Sequence, residues 1–133
     1  MDELRAAGRR VNIETQGSVP NKAFKRADAI TLSPKGPSSG MVLDHAKLAA
    51  CVELANGRAV FKFVIGDEAD MAFARATAAR HPEVPVFAQP ITVKGAFPNL
   101  ATLCETVATT PELSRWKVIP QLHVLAWGNE RGR

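Results

Sequence analysis

The chain has 133 residues, enough for one compact domain and too few for two of ordinary size. Apolar residues make up 46% of it and charged residues 23%, a balance that excludes a disordered chain, a collagen and a coiled coil. No apolar run approaches the roughly 20 residues that a membrane-spanning helix needs. The first ten residues, MDELRAAGRR, have no apolar stretch and are not a signal peptide, so we expect a cytoplasmic protein with no membrane partner.

The net charge of +4 is unevenly distributed along the chain. Residues 1–26 hold six Lys or Arg against three acids, and residues 115–133 hold four against one. Such basic ends are compatible with an anionic ligand or with a nucleic-acid partner. A nucleic-acid groove usually interleaves aromatic with basic side chains, and this chain has no Tyr. A solvated basic fringe is the simpler interpretation, and no nucleic-acid partner is predicted.

The first third of the chain predicts a helix end, two strands and a loop. Residues 1–10 have the pattern of the last turns of a helix, which runs directly into a β-branched segment at 11–15. Residues 29–33 predict a second strand, which Pro34 stops. Residues 34–42 (PKGPSSGMV) are too rich in Pro, Gly and Ser for either element and predict a long loop.

The middle of the chain predicts two helices around its strongest strand. Apolar residues in 44–55 recur three and four positions apart, and Asn56-Gly57 is a typical helix end. Residues 59–65 (AVFKFVI) predict a buried strand, ended by a glycine. A second helix over 67–80 begins at Asp67, a natural N-cap.

The last third predicts a strand, a helix and a short strand, and then a segment of uncertain type. Residues 85–89 (PVFAQ) predict the fourth strand, residues 98–109 a helix, and residues 117–119 a fifth strand. Residues 121–133 begin with an apolar pattern that fits a strand or a helix and end in a basic tail. Apolar strands alternating with amphipathic helices predict an α/β fold with four to five mostly parallel strands.

Two cysteines and two histidines have simple structural interpretations. Cys51 and Cys104 form no CxxC or zinc spacing, and each lies among apolar neighbours on a predicted helix, so we expect buried free thiols. His45 and His81 are expected on the surface of helices. No P-loop, GxGxxG, nucleophile triad or metal-ligand cluster is present.

Polar residues follow three of the predicted strands, at the strand ends that carry function in parallel α/β folds. They are ETQGS at 14–18, Ser33-Pro34-Lys35, and Gln89-Pro90. In the fourth strand we expect Gln89 to face a ligand from the strand end and Phe87 to pack in the core. Hydroxyl, amide and ammonium groups suit a polar ligand, although each segment by itself is also compatible with an ordinary βα turn. Lys62, within a strand, either faces outward or needs a partner in a polar interior. His123 is either an acid–base or ligand residue or a structural histidine.

Five segments are distinctive when they are taken together and in order. They are IETQGS at 13–18, ADAITLSPKGPSSGM at 27–41, KFVIGDEAD at 62–70, FAQP at 87–90 and VIPQLHVLAWGNERGR at 118–133. They resemble the 7-carboxy-7-deazaguanine synthase family of radical S-adenosylmethionine enzymes, which act in queuosine (7-deazapurine) biosynthesis. The resemblance extends over nearly the whole chain, from about residue 3 to the end.

The resemblance implies an activity and its cofactors. The family is a carbon–nitrogen lyase that converts 6-carboxy-5,6,7,8-tetrahydropterin to 7-carboxy-7-deazaguanine with loss of ammonia. A reduced 4Fe-4S cluster cleaves S-adenosylmethionine to a 5′-deoxyadenosyl radical, and Mg²⁺ assists. The fold implied is an incomplete, TIM-like (β/α) barrel, and the enzyme implied is a cytoplasmic homodimer with a small-molecule pterin substrate.

The resemblance also assigns roles to residues of this chain, none of them catalytic in the strict sense. The family's Ser-Pro-Lys and Gln-Pro segments contact S-adenosylmethionine, its strand-end Glu-Thr-x-Gly lies near the same pocket, and its terminal Gln-x-His lies near the substrate. The positions implied for the cofactor are Ser33, Pro34, Lys35, Gln89, Pro90, Ile91 and Thr92, with Glu14, Thr15 and Gly17 in the wall, and those implied for the substrate are Gln121 and His123.

The chain departs from the family in what it lacks. The family's CxxxCxxC-type cluster ligands, its Gly-Gly-Glu-Pro motif and its magnesium ligand have no counterpart here. Residues 1–133 therefore resemble one partial radical S-adenosylmethionine domain, the C-terminal half. This portion supplies part of the cofactor site and is expected to be inactive alone. The alternative is an α/β binding module that has lost the chemistry. We expect either a homodimer or association with an N-terminal half.

Overall fold

The structure, a computed structural model, describes residues 1–128 and residue 130. Strands and helices alternate along the chain, as the sequence predicts. The strands are β1 (Asn12–Thr15), β2 (Ala29–Leu32), β3 (Ala59–Ile65), β4 (Val86–Pro90) and β5 (Lys117–Val118), and the helices are α1 (Asp2–Ala6), α2 (His45–Ala55), α3 (Glu68–Ala79), α4 (Leu100–Thr109) and α5 (Leu122–Trp127). Short 3₁₀ turns occupy Lys22–Arg26, Pro37–Ser39 and Pro111–Leu113.

The five strands form one all-parallel sheet in the order β1-β2-β3-β4-β5. This confirms the expected α/β class and is consistent with part of a (β/α) barrel. Each strand pairs with the next in sequence. The connections contain α2, α3 and α4 in turn, except the one between β1 and β2, which contains the 3₁₀ turn Lys22–Arg26. Within the described part of the chain, β1 pairs with β2 alone and forms one edge of the sheet.

The two faces of the sheet differ in burial. Alternate residues of β3 are buried, from Ala59 to Ile65, and join side chains of α2, α3 and α4 in a single core. The register places the intervening residues of all five strands on the opposite face, which we call the open face. Apart from Gln89, its residues are half-buried or exposed: Asn12, Glu14, Ala29, Thr31, Val60, Lys62, Val64, Phe87, Gln89 and Lys117.

Capping residues set the ends of the two central helices. The Asp44 side chain accepts hydrogen bonds from the N–H groups of Ala46 and Lys47, at 3.0 and 3.1 Å, and so caps α2. Asn56 ends the same helix in the left-handed region, with φ of 48°. Asp67 caps α3, as predicted, by accepting from the Asp70 N–H at 2.9 Å.

Four predictions for single residues are wrong. Cys104 is exposed, because α4 buries Leu103 and Val107 on the neighbouring face. His45 is half-buried at the start of α2. His81 follows α3, where its ring meets Phe61 edge-on at 5.7 Å.

The fourth is Phe87, which the sequence places in the core. Its register opposite Lys62 puts Phe87 on the open face instead, where the Lys117 ammonium lies 5.6 Å from its ring centroid. Phe87 is half-buried there.

The longest described helix, α3, has 12 residues, and no helix in residues 1–128 is long and apolar enough to cross a bilayer.

Candidate functional site

The predicted site segments follow the carboxyl ends of parallel strands, which lie along one side of the sheet that we call the carboxyl edge. Main-chain pairing there continues one residue past the strands. The Ser33 N–H donates to the Thr15 carbonyl at 2.7 Å, which joins the ends of β1 and β2. The Ile91 N–H donates to the Ile65 carbonyl at 3.2 Å, and the Ile119 N–H donates to the Ala88 carbonyl at 2.9 Å. The loops after all five strands therefore leave the sheet at one edge.

Ser33, Pro34 and Lys35 begin the loop after β2. Ser33 is 3% exposed, and Pro34 is also buried, so these two residues are fixed by the sheet and the helix layer. Lys35 is half-buried and makes no side-chain hydrogen bond or ion pair with a described residue. Its ammonium group is thus available to an anionic group of a ligand at this edge.

A buried carboxylate that the sequence analysis did not single out holds this loop. Asp70, in the first turn of α3, is 1% exposed. Its carboxylate accepts from the Ser38 N–H at 3.1 Å, from the Ser38 hydroxyl at 2.7 Å and from the Gly66 N–H at 3.0 Å. Asp70 therefore fastens both the loop after β2 and the turn after β3 to α3, because hydrogen bonds to a charged acceptor are strong ones.

Two glycines make room for that carboxylate. A Cβ atom added at Gly36 would lie 2.4 Å from the Asp70 Oδ1 atom. One added at Gly66 would lie 3.2 Å from both Asp70 Oδ2 and Ile91 Cδ1. The sequence signal that points to this arrangement is the pair of glycines together with an aspartate three residues after the N-cap.

Gln89, at the end of β4, occupies the open face beside Val64 and is 7% exposed. Its side-chain amide makes no hydrogen bond with any described residue. The next strand-end residue, Thr92, is half-buried, and its hydroxyl donates to the Gln121 Oε1 atom at 2.6 Å. A residue predicted for the cofactor and one predicted for the substrate are thereby in direct contact.

The remaining candidates are more scattered. Glu14 lies on the open face, where its carboxylate pairs with the Lys62 ammonium across β2, so Lys62 has a partner, as one of its two sequence-based interpretations expects. The register places Thr15 on the opposite, helix-covered face. His123 is exposed on α5. The basic residues Arg131 and Arg133 of the predicted tail lie outside the described residues.

Gly17, predicted in the wall of the site, packs closely against α2. A Cβ atom there would lie 2.6 Å from the Leu48 Cδ1 atom, and its φ of +77° favours glycine. The Cys51 thiol donates to the Gly17 carbonyl at 3.5 Å. Burial raises the pKa of the Cys51 thiol, because a thiolate is poorly solvated among apolar side chains.

A second polar residue missed by the sequence analysis lies at the end of β3. The Asn99 side-chain N–H donates to the Ile65 carbonyl at 2.7 Å, while the Asn99 Oδ1 atom is buried without a hydrogen-bond partner in the described part of the chain. Asn99 lies at the start of α4, so no strand-end pattern could have found it.

The cysteines do not fit an iron–sulfur cluster. A 4Fe-4S cluster of the radical type needs three closely spaced thiolates, and the whole chain has two cysteines. Cys51 is buried on α2, and Cys104 is exposed on α4. No group of three or more metal-ligating side chains occurs in residues 1–128.

Comparison with known proteins gives a consistent assignment. No family profile matches the chain. The 7-carboxy-7-deazaguanine synthase of Bacillus cereus is 35% identical over 141 aligned positions, which cover 97% of this chain and 59% of that protein. The 7-carboxy-7-deazaguanine synthase of Bacillus subtilis is 36% identical over 140 positions, which cover 92% of this chain and 57% of that protein.

The chain thus spans less than two thirds of the length of these curated relatives, as expected of a C-terminal portion. The resemblance inferred from the strand-end segments is confirmed, and by sequence the chain belongs to the 7-carboxy-7-deazaguanine synthase family.

Proposed function

We propose that this chain is the part of a radical S-adenosylmethionine 7-carboxy-7-deazaguanine synthase that lines one side of the cofactor and pterin sites. The contact between Thr92 and Gln121 carries the proposal, since it joins a cofactor position to a substrate position at one edge of the sheet. The names and 35–36% identity of the two relatives support the reaction class.

The chain's own residues would bind and orient the ligands. Lys35 supplies a positive charge beside the buried Ser33, suited to the carboxylate of the methionine moiety. Gln89 supplies an amide with both donor and acceptor capacity. The Thr92 hydroxyl already donates to the Gln121 Oε1 atom. The Gln121 amide N–H groups would therefore donate to an acceptor such as a pterin carbonyl.

The radical-generating cluster would have to come from elsewhere, because the two cysteines of this chain do not fit it. We therefore assign no redox step to these residues. The edge of the sheet at β1, which has one partner strand among the described residues, suits association with a further part of the barrel or with a second copy, because exposed strand edges favour pairing.

Reconstitution in trans tests this proposal. The chain is mixed anaerobically with a cysteine-bearing N-terminal portion of the Bacillus subtilis relative and supplied with iron, sulfide, reductant, S-adenosylmethionine and 6-carboxytetrahydropterin. We expect 5′-deoxyadenosine and 7-carboxy-7-deazaguanine from the mixture, and neither product nor colour from the chain alone. Cluster-dependent cleavage by the chain alone would overturn the proposal.

A second candidate function, a non-catalytic α/β ligand-binding module, is favoured by the cysteine arrangement alone. The same experiment separates the two. A module binds S-adenosylmethionine or the pterin but yields no product with any cysteine-bearing portion, whereas a synthase portion yields product in the mixture.

A further inference from the structure

A cavity of about 590 Å³ lies at the opposite end of the sheet from the candidate site. It is open to solvent on one side and is lined by the second half of α3, the segment that leads into β4, and the 3₁₀ turn and following residues before β5. These elements meet at the amino end of the parallel strands, whereas the site residues described above leave the carboxyl end. The cavity is therefore separate from the proposed cofactor and substrate sites.

The floor of the cavity is apolar. Val86 and Leu113 are 5% and 2% exposed, and Trp116, which stacks on Phe63 at 6.3 Å, is half-buried. An indole whose ring is held by a second aromatic ring offers a fixed, flat surface to a ligand. The size falls in the range of about 300–1,000 Å³ that small-molecule pockets occupy.

The rim of the cavity is positively charged. Arg75, on α3, and Arg115, which precedes β5, both line it, and Glu112 is the single acid among the lining residues. Neither guanidinium makes an ion pair or a side-chain hydrogen bond with another residue in the described part of the chain. His81 also lines the cavity.

We propose that this cavity binds a small organic anion with a planar apolar body and one carboxylate or similar group. The body would rest against Trp116 and Leu113, and the anionic group would lie between the two arginines. Unpaired guanidinium groups beside an apolar floor match such a ligand in both charge and shape. The proposal does not depend on the synthase activity, because it uses no residue of the carboxyl edge.

Titration with 2-naphthoate tests the proposal, with 2-naphthalenemethanol as its neutral counterpart. The full chain is labelled with ¹⁵N, and the indole N–H resonance of Trp116 is assigned by its retention in Trp127→Phe. We expect saturable shifts at Trp116 with 2-naphthoate, and weaker binding of the neutral compound. Shifts confined to other parts of the chain, or equal affinity for both compounds, would overturn the proposal.

Charge variants give effects of opposite sign, which damage to the fold would not produce. Arg75→Gln and Arg115→Gln should each weaken 2-naphthoate binding about two- to fivefold, the range expected of exposed charge pairs. Glu112→Gln should strengthen it, because it removes the one negative charge at the rim. Arg80→Gln, an exposed arginine at the end of α3 that does not line the cavity, is the matched control and should change nothing. Equal effects of Arg75→Gln and Arg80→Gln would contradict the proposed anion position.

Discussion

The Asp70 carboxylate accepts hydrogen bonds from both the backbone N–H and the hydroxyl of Ser38, at 3.1 and 2.7 Å, across 32 residues of sequence. This pair ties the loop that begins with Ser33-Pro34-Lys35 to the first turn of α3. The position of Lys35 at the carboxyl edge therefore depends on Asp70, which is itself buried. Two predictions concern the stability of this arrangement.

Asp70→Asn should destabilise the chain by about 2–4 kcal/mol. The carboxylate satisfies three donors, and an amide would turn its own N–H groups toward at least one of them in a buried place. Urea unfolding measures the loss. Glu68→Gln, an exposed acid in the same turn of α3, is the control and should stay within about 0.5 kcal/mol of the parent chain. Equal stability of the two variants would show that the Asp70 contacts contribute little.

Gly36→Ala should cost about 1–3 kcal/mol, although the φ of −76° at this residue suits any amino acid. The reason is the 2.4 Å approach of the added Cβ atom to Asp70 Oδ1. A double-mutant cycle checks the cause, because in an Asp70→Ala background the added methyl meets no carboxylate. An undiminished cost in that background would place the strain elsewhere.

The two thiols should differ sharply in reactivity. Cys104 is exposed, whereas burial both shields Cys51 and raises the pKa of its thiol, so little thiolate forms at neutral pH. Ellman's reagent should label one thiol per native chain quickly and the second only on unfolding. Cys104→Ser should abolish the fast reaction and Cys51→Ser should retain it. Rapid labelling of Cys104→Ser would mean that the helix layer over Cys51 opens readily.

Asp28 should make stability fall as the pH drops into the acid range. The Val11 N–H donates to its carboxylate at 2.7 Å, and this bond, with support from nearby arginines, lowers the pKa of Asp28 below its ordinary value of 3.8. A lowered folded-state pKa contributes stability that is present above the unfolded value and is lost as the pH falls through the folded one. Asp28→Asn should therefore be less stable than the parent near neutral pH, with the difference shrinking below about pH 4. A carboxyl titration by ¹³C NMR would contradict this if it found the pKa of Asp28 at or above 3.8.

The sequence predicts the strands and the strand-end segments well, because alternating apolar strands and helices leave few arrangements other than a parallel sheet. It also predicts that Asp67 caps α3, because a cap and its helix are neighbours in sequence. The contact between Asp70 and Ser38 could not be predicted from the sequence, because it depends on the path of a Pro/Gly/Ser-rich loop that no periodicity describes.

The wrong predictions have a common cause. Alternation shows that Phe87 and Gln89 share one side of β4, but the register with β3 decides which side the helices cover. Apolar neighbours similarly placed Cys104 in the core, whereas the direction of α4 gives the buried positions to Leu103 and Val107. Local pattern therefore identifies the elements, and tertiary register decides which of their residues face a ligand.

The central claim, that the carboxyl edge of this sheet binds S-adenosylmethionine, is tested most directly at Lys35. Calorimetry is performed on the chain combined with a cysteine-bearing N-terminal portion, comparing Lys35→Ala with Lys25→Ala, an exposed lysine in the 3₁₀ turn that precedes β2, at the amino end of the strands. Losing one charge-assisted contact should weaken binding about tenfold or more in Lys35→Ala, while Lys25→Ala should bind like the parent. Unchanged affinity in Lys35→Ala, with the fold intact, would remove this edge from the cofactor site.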